Sequence, residues 1–412
     1  MARPQYEVAD VVRRFGAAFE ESHRPISSHR RVLGDIAACR TAQLGGHRLT
    51  CPGCNYVELS YNSCRNRHCP KCGAKRRAQW LEAQVRDLLP VPYFHIVFTL
   101  PAQLGPIALQ NKRLIYGLLM RTAADTLKTL AADNKHLGAH IGLTAVLHTW
   151  GQNLKHHPHV HCIVPGGGLR QGDDGATTWV PSRTNFFIAV RVIRKLFAGK
   201  FLAGIRQLYD DGELQLHGRI EYLRERCQWK QLIRKLYRLK WVVYAKPPFG
   251  GPQQVLKYLA RYTHRVAIAN SRIIAVDGGG KSGRVTFKWK DYRDGQRKLM
   301  TLDAAEFLRR FCLHIAPKGM VRIRHYGMLA GRNRSQRIDV CRQVMAQAGM
   351  SREVQADAEP DGEQHGVDTA VDSSSLEVSR HCCPRCGSVL LRWAVDPVAV
   401  GAVDLSPGWD SS

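Results

Sequence analysis

Two Cys-x-x-Cys knuckles, Cys51-Pro52-Gly53-Cys54 and Cys69-Pro70-Lys71-Cys72, stand fourteen residues apart in the first fifth of the chain. No other feature limits the fold so tightly. Zn²⁺ takes four thiolate or imidazole ligands in a tetrahedron, and two knuckles supply them when the chain between them folds back. Tyr56-Val57-Glu58-Leu59-Ser60-Tyr61 provides a hairpin for that return. The spacing therefore predicts a structural zinc site on Cys51, Cys54, Cys69 and Cys72. Cys39, His47, Cys64 and His68 lie close by and leave the ligand set open. The start of the chain has no apolar signal region, so its thirteen cysteines read as metal ligands and buried thiols of a cytoplasmic protein rather than disulfides.

Charge is the second constraint. Lys and Arg number 61 against 34 Asp and Glu, a formal net charge of +27. Residues 351–412 hold 4 basic and 11 acidic side chains, which leaves 57 basic against 23 acidic in the first 350 residues. Such a body attracts polyanions, nucleic acid before an anionic membrane. No uninterrupted apolar run approaches the roughly 18–20 residues of a membrane span, so no membrane role is expected. The size, 412 residues, suggests two or three domains. We place a helical, zinc-binding and DNA-binding domain at 1–90, a catalytic domain at 91–345, and an acidic linker with a small cysteine-containing tail at 346–412. The cations around the knuckles, Arg65, Arg67, Lys71, Lys75, Arg76 and Arg77, suit a grip on DNA phosphates.

Within the central region, Tyr93-Phe94-His95-Ile96-Val97-Phe98-Thr99-Leu100 reads as a strand ended by Pro101. A helix is expected over 109–134, and strands over 141–150 and 159–165. The last strand carries His156-His157-Pro158-His159-Val160-His161. Side chains on a strand repeat on one face every second residue, so His159 and His161 point the same way and can chelate one cation. His157 shares their parity, although Pro158 is placed to break the strand before it. Mg²⁺ or Mn²⁺ on two imidazoles needs a further ligand, and His148, Gln152 and His157 all stay open for that role.

A helix expected from about Pro252 to Arg265 sets Tyr258 and Tyr262 one turn apart on one face, amid Lys257, Arg261 and Arg265. Two tyrosines at this spacing are, by themselves, more often core or interface residues. A phenolate nucleophile needs nearby cations to offset a free pKa of about 10, and here the cations are present. Gly278-Gly279-Gly280-Lys281-Ser282 imitates a phosphate-binding loop, but Ala275 replaces its first glycine and the segment joins two expected strands; we read it as a hairpin turn, with no nucleotide cofactor.

The cysteine pairs around Ser63-Cys64-Arg65-Asn66-Arg67-His68-Cys69-Pro70, the strand Pro92 to Pro101, His157-Pro158-His159-Val160-His161 and Tyr258-Leu259-Ala260-Arg261-Tyr262 occur in that order. Together they resemble the two-tyrosine transposases of the insertion-sequence ninety-one type, within the HUH endonuclease class. The resemblance runs from about residue 5 to 345 and includes Arg324-His325-Tyr326-Gly327, whose role the sequence does not reveal. It implies an α+β, Rep-like antiparallel sheet flanked by helices, preceded by a helical zinc-ribbon-like domain. It also implies a divalent ion on His159 and His161, with Tyr258 and Tyr262 as nucleophiles attacking single-stranded DNA at the element ends through a 5′-phosphotyrosine link. Such a protein would work at the bacterial nucleoid. A plasmid rolling-circle initiator of the same chemistry and a non-catalytic zinc-ribbon DNA-binding protein are the alternatives. A zinc hydrolase fits less well, because residues 141–165 contain no Asp or Glu to act as base. Cys382-Cys383-Pro384-Arg385-Cys386 offers a single further knuckle near the C-terminus.

Overall fold

A computed structural model describes residues 4–73, 82, 86–184, 187–249, 266–291, 294–350 and 382–397. In chain order, α1 (Val8–His23), α2 (Ser27–Ala38), β1 (Gly46–Thr50) and β2 (Val57–Tyr61) precede β3 (Tyr93–Thr99). After a short α3 (Gly105–Gln110) come the long α4 (Lys112–Ala132), β4 (Gly142–Trp150), β5 (His156–Pro165) and the hairpin of β6 (Gly167–Gln171) and β7 (Thr177–Pro181). Next are α5 (Val190–Asp210), α6 (Arg226–Arg238), β8 (Val243–Phe249), β9 (Ile273–Gly279), β10 (Ser282–Lys290) and β11 (Arg297–Asp303). The chain continues through α7 (Ala304–Leu313), β12 (Ile323–Gly327) and α8 (Arg334–Gln347) to β13 (Leu391–Val395). The fold is α+β, with antiparallel sheets flanked by helices. No described helix is long and apolar enough to cross a membrane.

The chain divides into two compact units, and neither is continuous in sequence. The first comprises Met1–Arg76, Val266–Ile315 and Pro360–Ser412. In it α1 buries the stripe Val8, Val11, Val12, Phe15 and Phe19 and packs on α7 and β9. Helix α1 starts in a capping box: the Glu7 side chain accepts from the third helical residue while Asp10 accepts the Glu7 N–H at 2.8 Å. Ser27 and Ser28 open α2 as helical residues rather than as its cap, which falls at Ile26. Segment 266–315 contains the sheet β11-β10-β9 of this unit. The triple glycine ends β9 in a tight hairpin, with Gly278 at φ +80° and Gly280 at φ +62°.

The second unit comprises Arg77–Arg265 and Ala316–Glu359. Its centre is a five-stranded sheet in the order β12-β4-β5-β3-β8, antiparallel at every pairing. One face carries Ile96, Phe98, Leu143, Ala145, Leu147, Val160, Cys162 and Val164, packed with α4 and α5 in the largest apolar cluster. Alternation then sends the intervening residues of β3, β4 and β5 to the opposite face. Pro158 does not break β5. The β4–β5 ladder is irregular between His148 and Trp150, so a residue without an N–H is tolerated there. Strand β8 begins at Val243 and continues through Pro247 and Pro248, which its place at the sheet edge permits.

Candidate metal centres and active site

On the face opposite the main core, β4 and β5 meet with His148 directly across from His159, and Val146 across from His161. One ring nitrogen from each of His148, His159 and His161 lies within 4.8 Å of the other two. His148 and His161 are buried and His159 is half-buried. The sequence pair has thus gained a third imidazole from the preceding strand. His157 projects into solvent, and its carbonyl accepts a hydrogen bond from His159 Nδ1 at 2.7 Å. A carbonyl can only accept, so the His159 proton sits on Nδ1 and Nε2 keeps its lone pair for a cation. Gln152 stands in the turn that joins β4 to β5, closed by the Gly151 N–H donating to Lys155 and the Leu154 N–H donating to Gly151.

A fourth histidine enters from β3. His95 Nε2 lies 2.8 Å from His161 Nδ1, and both rings are buried. Burial, with the Lys246 charge on the neighbouring strand, pushes His95 down to about 3; burial pushes His159 down to about 4. Both rings are therefore neutral near pH 7, the form a metal ligand requires. The described part of the site is an all-imidazole cluster. It contains no carboxylate that could serve as a hydrolytic base.

In the first unit the cysteines form two clusters, Cys39, Cys64, Cys69 and Cys72 in one and Cys51, Cys54, Cys383 and Cys386 in the other. The expected set therefore splits: Cys51 and Cys54 do not share a centre with Cys69 and Cys72. Cys39 Sγ and Cys64 Sγ approach Cys72 Sγ to 3.5 and 3.6 Å, while Cys51–Cys386 and Cys54–Cys383 are 3.3 and 3.4 Å apart. A zinc tetrahedron with bonds of about 2.3 Å has sulfur–sulfur edges of about 3.8 Å, so both clusters fit that ion with little adjustment. Hydrogen bonds from Cys64 and Cys69 already hold Cys39 down to about 7. His47 and His68 fall in neither cluster.

Asn66 explains the motif between the knuckles. Its side chain donates to Asp35 at 2.8 Å and accepts the His68 N–H at 2.9 Å, while its carbonyl accepts the Cys69 N–H at 3.1 Å. Lys71 pairs with Glu7 at 2.6 Å with both side chains largely buried, so it is committed to the fold rather than exposed to phosphate. Arg65 is exposed and Arg67 half-buried. Lys75, Arg76, Tyr258, Tyr262, Lys257, Arg261 and Arg265 lie outside the described residues.

Comparison with known proteins agrees with this geometry. A family model described as "Transposase zinc-binding domain" matches residues 11–100, and one described as "Putative transposase" matches residues 142–337. "Putative transposase y4qJ" of Sinorhizobium fredii is 50% identical over 353 residues, spanning 85% of this chain and 86% of that protein. "Transposase for insertion sequence element IS801" of Pseudomonas savastanoi pv. phaseolicola is 31% identical over 302 residues, spanning 72% of this chain and 69% of that protein. The chain belongs to the IS91-type insertion-sequence transposases.

In this transposase the zinc-binding match takes in Cys39, Cys64, Cys69 and Cys72 together with Cys51 and Cys54, and the second match takes in all three clustered histidines and β12. His95 lies within the zinc-binding match yet contacts the histidine cluster, and it was legible only as a residue of a strand. Cys383 and Cys386 lie beyond both matches. Their signal was the shared Cys-Pro-x-Cys pattern of the three knuckles.

Proposed function

We propose that this transposase cuts and rejoins single-stranded DNA at the ends of its element, with Tyr258 and Tyr262 as nucleophiles. The observation that carries this reading is the convergence of ring nitrogens from His148, His159 and His161 on one face of the sheet. A divalent cation held there, Mg²⁺ or Mn²⁺, supplies Lewis-acid polarisation of a scissile phosphate. The phenol oxygen of one tyrosine forms a bond to phosphorus as the bond to the 3′ oxygen breaks. The tyrosine proton leaves to solvent or a nearby base, and the departing 3′ oxygen takes up a proton. The product is a 5′-phosphotyrosine and a free 3′-OH. Because the phosphoester is conserved in that link, attack by a 3′-OH reverses the step without a nucleotide. The second tyrosine can hold a second strand end in the same way.

Around this chemistry, Cys39, Cys64, Cys69 and Cys72 would hold a structural zinc. Arg65 and Arg67, with Lys75, Arg76, Lys257, Arg261 and Arg265, would neutralise the DNA backbone. An all-imidazole set favours Mn²⁺ over the oxygen-seeking Mg²⁺.

The test is incubation with single-stranded element-end DNA and Mn²⁺, followed by denaturing electrophoresis. A covalent adduct is expected with the wild type. Tyr258→Phe/Tyr262→Phe should form none, and an adduct that survives the double substitution sinks the nucleophile assignment. His159→Ala/His161→Ala should bind the strand yet leave it intact. Full cleavage by that variant would remove the metal from the mechanism.

A further inference from the structure

The second cysteine cluster joins residues far apart in sequence: Cys51 is 335 positions from Cys386, and Cys54 is 329 from Cys383. The two knuckles are built alike. In the first, the Cys51 N–H donates to the Tyr56 carbonyl at 2.8 Å and the Asn55 N–H donates back to Cys51 at 3.0 Å. In the second, the Cys383 N–H donates to Ser388 at 2.7 Å and the Gly387 N–H donates back to Cys383 at 2.9 Å. The residue after each knuckle takes a left-handed backbone, Asn55 at φ +55° and Gly387 at φ +75°. The same frame, with equivalent hydrogen bonds, thus presents two thiols from each side.

The surroundings are also built for this union. Strand β13 lies along β1, pairing Gly46 with Val395 through Thr50 with Leu391, and β1 pairs on its other side with β2. Leu49, Cys51, Cys383 and Leu390 form one small buried cluster, and the Arg385 guanidinium sits 5.3 Å from the Tyr56 ring centre. A side chain at Gly53 would lie 2.9 Å from Ser388 Oγ, so the close approach of the knuckles uses the missing Cβ. The Sγ contacts of 3.3 and 3.4 Å are far longer than a disulfide bond of about 2.05 Å, and all four cysteines are free thiols. Four sulfur ligands in tetrahedral reach select zinc among the common structural ions.

We propose that Cys51, Cys54, Cys383 and Cys386 bind a second zinc ion, which fastens the C-terminal strand onto the N-terminal hairpin as a ribbon assembled from both ends of the chain. The cluster of apolar residues here is too small to hold a five-residue strand on its own, so the ion is the principal fastening. Half of this site, Cys383 and Cys386, lies outside the matched zinc-binding domain, and the inference stands independently of the DNA chemistry proposed above.

Two measurements on the full-length chain test it. Mass spectrometry of the purified protein's metal content should give about two zinc ions per chain. Cys383→Ser/Cys386→Ser and, separately, Cys39→Ser/Cys64→Ser should each give about one. One zinc in the wild type, two in the Cys383→Ser/Cys386→Ser protein, or iron in place of the second ion overturns the proposal. In the second measurement a specific protease site is inserted between residues 360 and 375 and cut. The C-terminal fragment should co-elute with the body while zinc is bound and separate once a chelator has removed it. A fragment that leaves in the presence of zinc, or stays after its complete removal, overturns the fastening role.

Discussion

His95 Nε2 and His161 Nδ1 are 2.8 Å apart, with their rings stacked at 5.1 Å and only 4° from parallel. The contact orients the His161 ring. When His161 offers Nε2 to a cation, its Nδ1–H donates to His95 Nε2, and the His95 proton then resides on Nδ1. His95 is thus a positioning residue that acts through His161. Loss of such an outer partner lowers metal affinity by about 10–100-fold. We expect His95→Ala to raise the Mn²⁺ concentration needed for half-maximal adduct formation by that factor. Strand binding without metal should be unchanged. His95→Gln, whose carbonyl can accept the same proton, should recover part of the loss. An unchanged Mn²⁺ midpoint in His95→Ala would contradict the positioning role.

The motif Arg324-His325-Tyr326-Gly327 becomes β12, paired with β4 from Ile323 opposite Val146 to Gly327 opposite Gly142. Its glycine is required twice over. Gly327 sits at φ +61°, and a Cβ there would collide with the Ile141 carbonyl oxygen. The left-handed backbone alone costs a residue with a Cβ about 1–2 kcal/mol, and the collision adds to it. Gly327→Ala should therefore lower the melting temperature by several degrees and loosen β12, the strand beside the His148 strand. Thermal unfolding followed by circular dichroism checks this, and a melting temperature equal to the wild type would refute it.

Strand β5 and the shared face of His159 and His161 could be read from the sequence because alternation is a local property. The third histidine was one of three open candidates, and the sequence could not choose it. His148 reaches the pair through its register opposite His159, which the turn over 151–155 and the ladder irregularity beside Trp150 decide. The cysteines teach the same lesson at longer range. Each knuckle is visible as four residues, yet which knuckles share a centre depends on β13 crossing to β1, and no spacing within the first hundred residues encodes that choice. Likewise, the triple-glycine turn between two strands was readable, but the packing of β9 on α1 was not. The fold class was legible because it sums local patterns, whereas the packing of segments into one compact unit rests on contacts between residues hundreds of positions apart.

His325 gives the histidine-bearing unit a pH dependence of definite sign. Arg334 donates to its Nε2 at 3.1 Å, so Nδ1 carries the proton and donates to Thr144 Oγ1 at 3.0 Å. Arg334 also pairs with Asp87 at 2.9 Å. Burial, then the Arg334 charge, pushes His325 down to about 4. The folded pKa is below the unfolded value of about 6.5, so the unfolded chain binds more protons between these limits and stability drops as the pH is lowered through that window. The contribution is at most about 3 kcal/mol, fully present above pH 6.5 and lost progressively toward pH 4. Urea unfolding at pH 7.5 and 5 should show that decline. His325→Gln should flatten it in part, because other buried histidines titrate in the same direction; an identical slope would exclude His325 as a contributor.

Helix α6 carries Arg226, Lys230, Arg234 and Arg238 at successive four-residue intervals, all exposed, while Trp229, Ile233 and Leu236 face the core. Like charges at this spacing repel, costing an isolated helix about 0.2–0.5 kcal/mol per pair. The row is therefore unfavourable in the free protein and becomes favourable when a polyanion lies along it. Phosphates of a bound strand would release about 0.7 counterions for each cation engaged. Replacing all four residues by Gln should weaken strand binding and reduce the magnitude of the log K against log salt slope by up to about 3. The same variant should unfold at a slightly higher temperature without DNA, since the repulsion is gone. Binding titrations from low to moderate salt separate this from misfolding, because a misfolded protein would lose affinity and stability together. If affinity and slope both match the wild type, α6 does not touch the strand.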